Sequence, residues 1–545
     1  MEQFDYIIVG GGSAGCVLAA RLTEDPGTRV LLLEAGGTDW HPFIHIPLTA
    51  GKLRQANMYD WGYSTSPQPH LDHRNIRLLR GKVLGGSSSV NFMAHNRGNR
   101  SDYERWVRMG HEDWSYENLL PYFKRMESWR EGTTPHRGSN GPIGIRYTCR
   151  SDPLGWAMLE AAKAAGHPIF DDLNGPEPNG FGLAQSAIDK GRRASSSTAY
   201  LRPALKRPNL VVRTRCLITK IILDKRTARG VQYLRDGQIH EVGATREVIL
   251  AAGAVNSPQL LMLSGIGDAD ALRKLGITPV QHLPGVGSNL QDHLVISLIH
   301  RRIGEDSPLH RMMRVDRLIP SIIAAYVAGK GPATSLPAGV NGILRTSEHL
   351  DAPDLQVMFG AGALEAKPWF PGINDWKDVL YLRPVLSHPV STGSVTLASA
   401  DPTKHPIVDP RYLSHQDDLK TLRKGFRIVR EIMQQKELDP FRGEELSPGP
   451  SSNSDDDIDA HIRQTASTAQ HLSCTCKMGA DPMAVVDTQL RVHGVNGLRV
   501  VDASVMPEIV SCNIHALVLA IAEKAADLIR GHQATTKTTA QHAVA

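Results

Sequence analysis

Six cysteines in 545 residues are too few to form a disulfide framework in a chain of this length. Cys474 and Cys476 stand one residue apart, which is not zinc-finger spacing, and no second pair accompanies them. A reducing cytoplasm is the expected compartment. No apolar stretch reaches the length of a membrane span. The first strand begins almost at once, which leaves no room for a signal peptide; peripheral attachment to a membrane stays open. The formal charge of +5 is small for this length, and no basic run carries interleaved aromatics, so nucleic acid is not an expected partner. Internal repeats and low-complexity tracts are also lacking. Hydrophobic residues at 41% and charged residues at 21% describe an ordinary soluble chain. Its length exceeds a single core, so two domains are expected.

What is present is concentrated first between Phe4 and Gly36. Tyr6 to Val9 is short, apolar and β-branched, as a buried parallel strand requires. Gly10, Gly12 and Gly15 follow in G-x-G-x-x-G spacing, then a helix over Ala14 to Leu22, and a second apolar strand, Val30 to Leu33, ending at Glu34. Gly10 permits the tight turn, Gly12 lets the backbone approach a pyrophosphate, and Gly15 lets helix and strand pack closely. The helix N-terminus beside Ser13 and Ala14 offers free N–H groups to phosphates. Glu34, next to Ala35, can accept from ribose hydroxyls. This is an α/β dinucleotide site, and the motif alone leaves FAD and NAD open.

Further motifs follow along the chain. The segment from Gly81 through Val83, Gly86 and Ser87 to Asn91 combines glycines and serines, with Met93 and Ala94 just beyond. Its backbone and hydroxyl donors suit phosphate oxygens or the polar edge of a planar ring. Helices are expected over Asn118 to Met126, Leu154 to Ala165 and Asp417 to Gln434. Strands are expected at Asn209 to Val212, Thr219 to Leu223, Gly230 to Leu234, Val379 to Leu386 and Gly393 to Ala398. The apolar run before Ala252 and Gly253 reads as a buried strand entering a glycine turn. Ser257-Pro258 reads as the opening of the next helix. Leu309 to Ala338 reads as broken helical pieces able to form part of a lid, Ser447 to Asp457 as a polar linker, and residues 532–545 as a disordered tail.

The last segment holds the candidate chemistry: His471 within Ser467 to Gly479, the Val500-Val501-Asp502-Ala503-Ser504 block, and Cys512-Asn513-Ile514-His515-Ala516 before a final helix, Leu517 to Ile529. With the N-terminal fold, Gly81 to Asn91, Gly253 to Gly267 and Gly285 to His293, these segments resemble the glucose–methanol–choline (GMC) family of FAD oxidoreductases over nearly the whole chain. Within it, Cys474 to Gly479 is most similar to the bacterial L-sorbose and alcohol dehydrogenase branch. The resemblance implies FAD rather than NAD. It also implies a Rossmann-like FAD-binding domain (1–150, 190–293 and 465–531) and a substrate domain (151–189 and 294–464) built on a large antiparallel sheet covered by helices. Leu217, Ala252, Gly253, Asp502 and Ala503 join the expected FAD contacts, as does His515. Val90 stands where some members link FAD through a histidine, so non-covalent FAD is expected.

The resemblance matches His471 to the family's catalytic histidine and gives its partner's position to His515. Leu472, Cys474 and Leu517 depart from the family pattern beside that chemistry. His293 lies in a loop that reads as structural. Oxidising an alcohol with a flavin requires removing the hydroxyl proton and delivering hydride to the flavin. An imidazole is a suitable proton acceptor, and a second hydrogen-bonding side chain can hold the oxygen. The expected function is FAD-dependent oxidation of a primary alcohol, polyol or sugar-like compound, with a quinone or other carrier, or oxygen, taking the electrons. The alternatives are an oxygen-using oxidase of the same fold and a non-redox cyanohydrin lyase.

Overall fold

The computed structural model describes residues 1–531 apart from positions 133, 149–150, 176, 305–306, 337, 363–366, 374–375 and 377. The expected disordered tail at 532–545 lies outside the described residues.

Two sheets organise the chain. The first has seven strands, and its centre is the N-terminal strand Gln3–Val9, fully apolar from Tyr6 onward and buried on both faces. Gln3–Val9 pairs in parallel with Val30–Leu33 and with Gln238–Leu250. Leu210–Arg213 extends one side in parallel, and Leu498–Val500 pairs in parallel with Gln238–Leu250. The antiparallel hairpin strands Thr227–Arg235 and Leu217–Asp224 close the other side. The helix Ser13–Leu22 follows the first strand, as the motif requires, and packs against the last helix, His515–Arg530. Residues nearly 500 apart in sequence therefore share one core.

The second sheet has eight strands, all antiparallel. Arg442–Ser447, Leu298–Arg302, Val379–Leu386, Leu355–Ala361, Ala338–Leu344 and Gly180–Leu183 follow one another across it. The short strand Leu294–Val295 joins Val379–Leu386 to Ser467–Thr468. The amphipathic helix Gln416–Met433 covers this sheet, burying Leu422, Phe426 and Val429. Mixed α/β and antiparallel architecture is the fold class read from the sequence.

Several local expectations need correction. Ser394–Thr396 is the only strand within Gly393 to Ala398; it pairs with Ile407–Asp409, apart from both large sheets. The span Ser447 to Asp457 is not all linker, because Ser454 caps a helix, Asp455–Thr465, through a reciprocal capping box with Asp457. Residues 465–531 give their first strand, Ser467–Thr468, to the antiparallel sheet. Ser257-Pro258 does not open a helix: the helix is Gly253–Leu263, with Pro258 inside it. Proline cannot donate to the carbonyl four residues back. That carbonyl, on Ala254, accepts instead from Thr475 Oγ1 at 2.7 Å, so the break in the ladder ties the helix to the segment carrying His471.

Candidate active site

A cavity of about 1030 Å³ lies between the two sheets and reaches from the glycine turn to His471. Of the residues expected at a dinucleotide, Gly10, Gly12, Ser13, Ala14, Glu34, Ala35, Gly81, Gly86, Ser87, Asn91, Met93, Ala94, Leu217, Ala252, Gly253, Asp502, Ala503 and His515 line it. Gly15 and Val83 do not. A Cβ on Gly15 would stand 1.9 Å from the Gly10 carbonyl oxygen, so its hydrogen serves helix–strand packing. Val83 is buried against Ile44 and Leu53, and its carbonyl accepts from Gly86 N–H at 2.7 Å, which shapes the loop from behind.

The cradle fits a dinucleotide on its own geometry. A Cβ on Gly12 would find no protein atom closer than 3.8 Å, and one on Gly253 none within 4 Å; both glycines leave open space toward the cavity. Gly253 has φ +85°, a left-handed conformation that favours glycine. Its N–H donates to Asp502 at 2.8 Å, and Asp502 also accepts from Ser257 and Ser504 hydroxyls. Glu34 accepts from Gly11 N–H at 2.8 Å and Gly36 N–H at 2.7 Å. Burial outweighs those bonds and raises its carboxyl to about 7. Each carboxylate oxygen retains acceptor capacity for a ribose hydroxyl. Buried Arg193 donates to the Asn91 carbonyl and side chain and to the Ser88 and Ile44 carbonyls, so one guanidinium fixes the serine-rich loop.

At the far end of the cavity, His471 is held by its surroundings on every side. Its backbone N–H donates to Asp292 at 2.7 Å, and the same carboxylate accepts from Thr468 and Tyr412 hydroxyls. Its Nδ1 lies 2.9 Å from Nδ1 of His293. Its Nε2 lies 3.1 Å from Nδ2 of Asn513. The orientation of the Asn513 amide follows from its other contacts. Asn96 Nδ2 donates to Asn513 Oδ1 at 2.7 Å, and Gln356 Nε2 donates to the same oxygen at 3.1 Å. Two donors identify that atom as the oxygen, so Nδ2 donates to His471 Nε2. The Nε2 lone pair therefore faces Asn513, and in the neutral ring the proton sits on Nδ1, shared with His293. Burial holds His471 well below the ordinary histidine range, and His293 and Arg80 push the same way. Burial, then the charge of His388, lowers His293 to about 4.

The partner expected at His515 is thus found two residues earlier. His515 begins the last helix and lines the cavity, but neither of its buried ring nitrogens has a hydrogen-bond partner among the described residues. Burial, then His95 and Arg193, lowers it to about 3. Asn513 precedes the helix, in the turn that faces His471. Asn513 stands in the same Cys512-Asn513-Ile514-His515-Ala516 segment that carries the resemblance and was available there as a signal. Nothing local marked His293, which meets His471 across 178 positions.

Two family models, both described as GMC oxidoreductase, match residues 4–295 and 389–522. The chain belongs to the GMC oxidoreductase family. Like that family it binds FAD, and it is an FAD-dependent oxidoreductase acting on CH–OH donors. It is 43% identical to mitochondrial choline dehydrogenase of Mus musculus over 98% of this chain and 90% of that one. Its identity to oxygen-dependent choline dehydrogenase of Staphylococcus xylosus is 42%, over 97% and 95%. Among solved structures, pyridoxine 4-oxidase from Mesorbium loti superposes with TM-score 0.87 at 33% identity, covering 97% of this chain and 100% of that one. Formate oxidase from Aspergillus oryzae RIB40 gives 0.88 at 28%, covering 97% and 98%. The two sequence relatives carry choline in their names and the two solved structures pyridoxine and formate; none of the four carries L-sorbose. No helix among the described residues is long and apolar enough to cross a membrane.

Proposed function

We propose that His471 takes the hydroxyl proton of a primary alcohol, polyol or sugar-like substrate while the carbon is oxidised to an aldehyde or ketone. The observation that carries this reading is the bond between Asn513 Nδ2 and His471 Nε2 at 3.1 Å. It pairs a donor and an acceptor on one edge of the cavity, which is what a hydroxyl group needs. A hydroxyl entering between them accepts from Asn513 and donates to His471. Its oxygen is held in place while its proton has an acceptor. Neutral His471 is the competent form, and its burial keeps it neutral through ordinary pH. Bound FAD supplies the hydride acceptor. Gly12, Glu34, Ser87, Gly253 and Asp502 are the residues proposed to hold it, with Val90 at the position where a covalent link would otherwise form.

The names of the relatives make choline the first alcohol to try. Mixing the flavin-loaded enzyme anaerobically with choline and with a panel of neutral and charged alcohols tests the reading. Bleaching of the flavin with at least one alcohol is expected. Reoxidation by air would assign oxygen as acceptor, and persistence of the reduced flavin would assign a quinone or another carrier. A flavin that no alcohol bleaches would overturn the proposal, and aldehyde release from a cyanohydrin would then favour the lyase.

A further inference from the structure

The antiparallel sheet presents Asn341, Met358, Tyr381 and Arg383 to the cavity. Strand pairing places Asn341 opposite Met358, and Met358 opposite Arg383. Arg383 is the charged member of this row. Its guanidinium lies over the Tyr381 ring, 4.2 Å from the centroid. Its Nε is buried without a hydrogen-bond partner, and no carboxylate pairs with it among the described residues.

The acids among the described lining residues are Glu34 and Asp502. Both are engaged by backbone amides of the dinucleotide cradle. The sheet side of the cavity carries no acid among the described residues, and the lining as a whole also holds the cations Lys52, Arg54, Arg80, Lys82, Lys367 and Lys404. A guanidinium over an aromatic ring, facing an apolar-walled space with donors unused, is costly to leave unpaired. It is suited to a planar oxyanion, which it binds through two parallel N–H bonds. A quaternary ammonium in the same place would meet like charge.

Register relates this site to the reacting pair. Gln356, which donates to Asn513, lies two residues from Met358 on one strand, and their partners Val385 and Arg383 are likewise two apart. Two residues of strand span roughly 6–7 Å, a few carbon–carbon bonds. We infer that Arg383 binds a carboxylate carried by the substrate a few carbons from its CH–OH group, so that the preferred alcohol is a hydroxy acid and not choline. This deepens the alcohol-oxidation reading and rests on it.

The test compares ω-hydroxycarboxylates with 1-alkanols of matched length and with choline, by anaerobic flavin reduction. The best hydroxy acid should exceed its alkanol in kcat/KM by at least about tenfold, the worth of one charge-assisted bond. Arg383→Met should bring that ratio close to one, and Arg383→Lys should restore part of it. Binding without turnover gives a separate readout. Hexanoate should perturb the flavin spectrum at lower concentration than hexanamide, and Arg383→Met should abolish the difference. The inference is overturned if alkanols or choline match every hydroxy acid, or if Arg383→Met leaves both differences intact. A flavin that no alcohol reduces, while hexanoate still binds through Arg383, would instead overturn the oxidation reading and keep the anion site.

Discussion

The proposed reaction divides its work between His471 and Asn513 at one edge of the cavity, and their variants should separate. His471→Ala should slow flavin reduction by about 10²–10⁴, the usual worth of a positioned base, with flavin content nearly unchanged. Asn513→Ala should slow it through loss of the donor, while His515→Asn should be milder than either, because His515 makes no bond to His471. Stopped-flow reduction of the three variants decides the order; a dead His515→Asn beside an active Asn513→Ala would reverse it. The pH dependence has a definite sign. Protonation removes the acceptor on His471, and burial lowers its ionisation, so the rate should stay level as pH falls through the ordinary histidine value and drop only well below it. A midpoint at or above about 6.5 would mean that another group is the base. A second residue-scale prediction concerns Cys474, which stands where the family pattern has glycine and holds φ +71°. A left-handed backbone costs a side-chain-bearing residue about 1–2 kcal/mol, and glycine's extra chain entropy offsets about 0.5–1 of this. Cys474→Gly should therefore be more stable than Cys474→Ala by up to about 1.5 kcal/mol in chemical denaturation, the reverse of their order in a helix.

At the scale of elements, Gly12 and Gly15 of the first turn should fail in different ways. Gly12→Val should fold and lose FAD, because the added side chain enters open cavity. Gly15→Ala should lose stability, because its Cβ meets the Gly10 carbonyl at 1.9 Å. Flavin content per folded protein, set beside thermal melting, separates the two; a Gly12→Val protein with full flavin would move the dinucleotide elsewhere. The contrast also marks what the sequence made legible. The strand–turn–helix at residues 4–22 was readable because the motif and the hydrophobic period belong to one continuous stretch. The strand expected within Gly393 to Ala398 is present at Ser394–Thr396, but its place was not legible, because a short apolar run shows no partner and hydrogen bonding decides which sheet it joins. The Gly253–Leu263 helix was started too late because Pro258 read as an N-terminal signal, and its compensating donor, Thr475, lies over 200 residues away. The same limit hid His293 and exchanged Asn513 for His515: two polar residues two positions apart look equivalent until the start of the last helix fixes which one bonds to His471.

On the whole molecule, the proposed FAD contacts come from the N-terminal turn, the Gly81–Ala94 loop, the Ala252–Gly253 turn and the Asp502–Ala503 block. A ligand that touches all four should hold them together. Removing FAD should lower the melting temperature, and restoring it at about 100 times its dissociation constant should return close to 3 kcal/mol. Because Val90 offers no nucleophile, acid precipitation should release all yellow colour to the supernatant; flavin retained in the pellet, with a modified peptide by mass spectrometry, would show a covalent link.

The pairing of Gln3–Val9 with a sheet that Leu498–Val500 completes, and of Ser13–Leu22 with the final helix, also sets a timetable. The strand Gln3–Val9 leaves the ribosome roughly 500 residues before the helix His515–Arg530 with which it shares one core. At roughly 5–20 residues per second the interval is on the order of half a minute to two minutes. For that time the side of Ser13–Leu22 that meets the last helix has no native cover, although Val30–Leu33 and Ser197–Leu201 already pack against the helix, while the antiparallel sheet lacks only Ser467–Thr468 and can form ahead of it. Nascent chains halted before residue 498 should therefore be held by chaperones at the N-terminal segment, and the stretch from Leu498 to Arg530 should act as the release step of biogenesis.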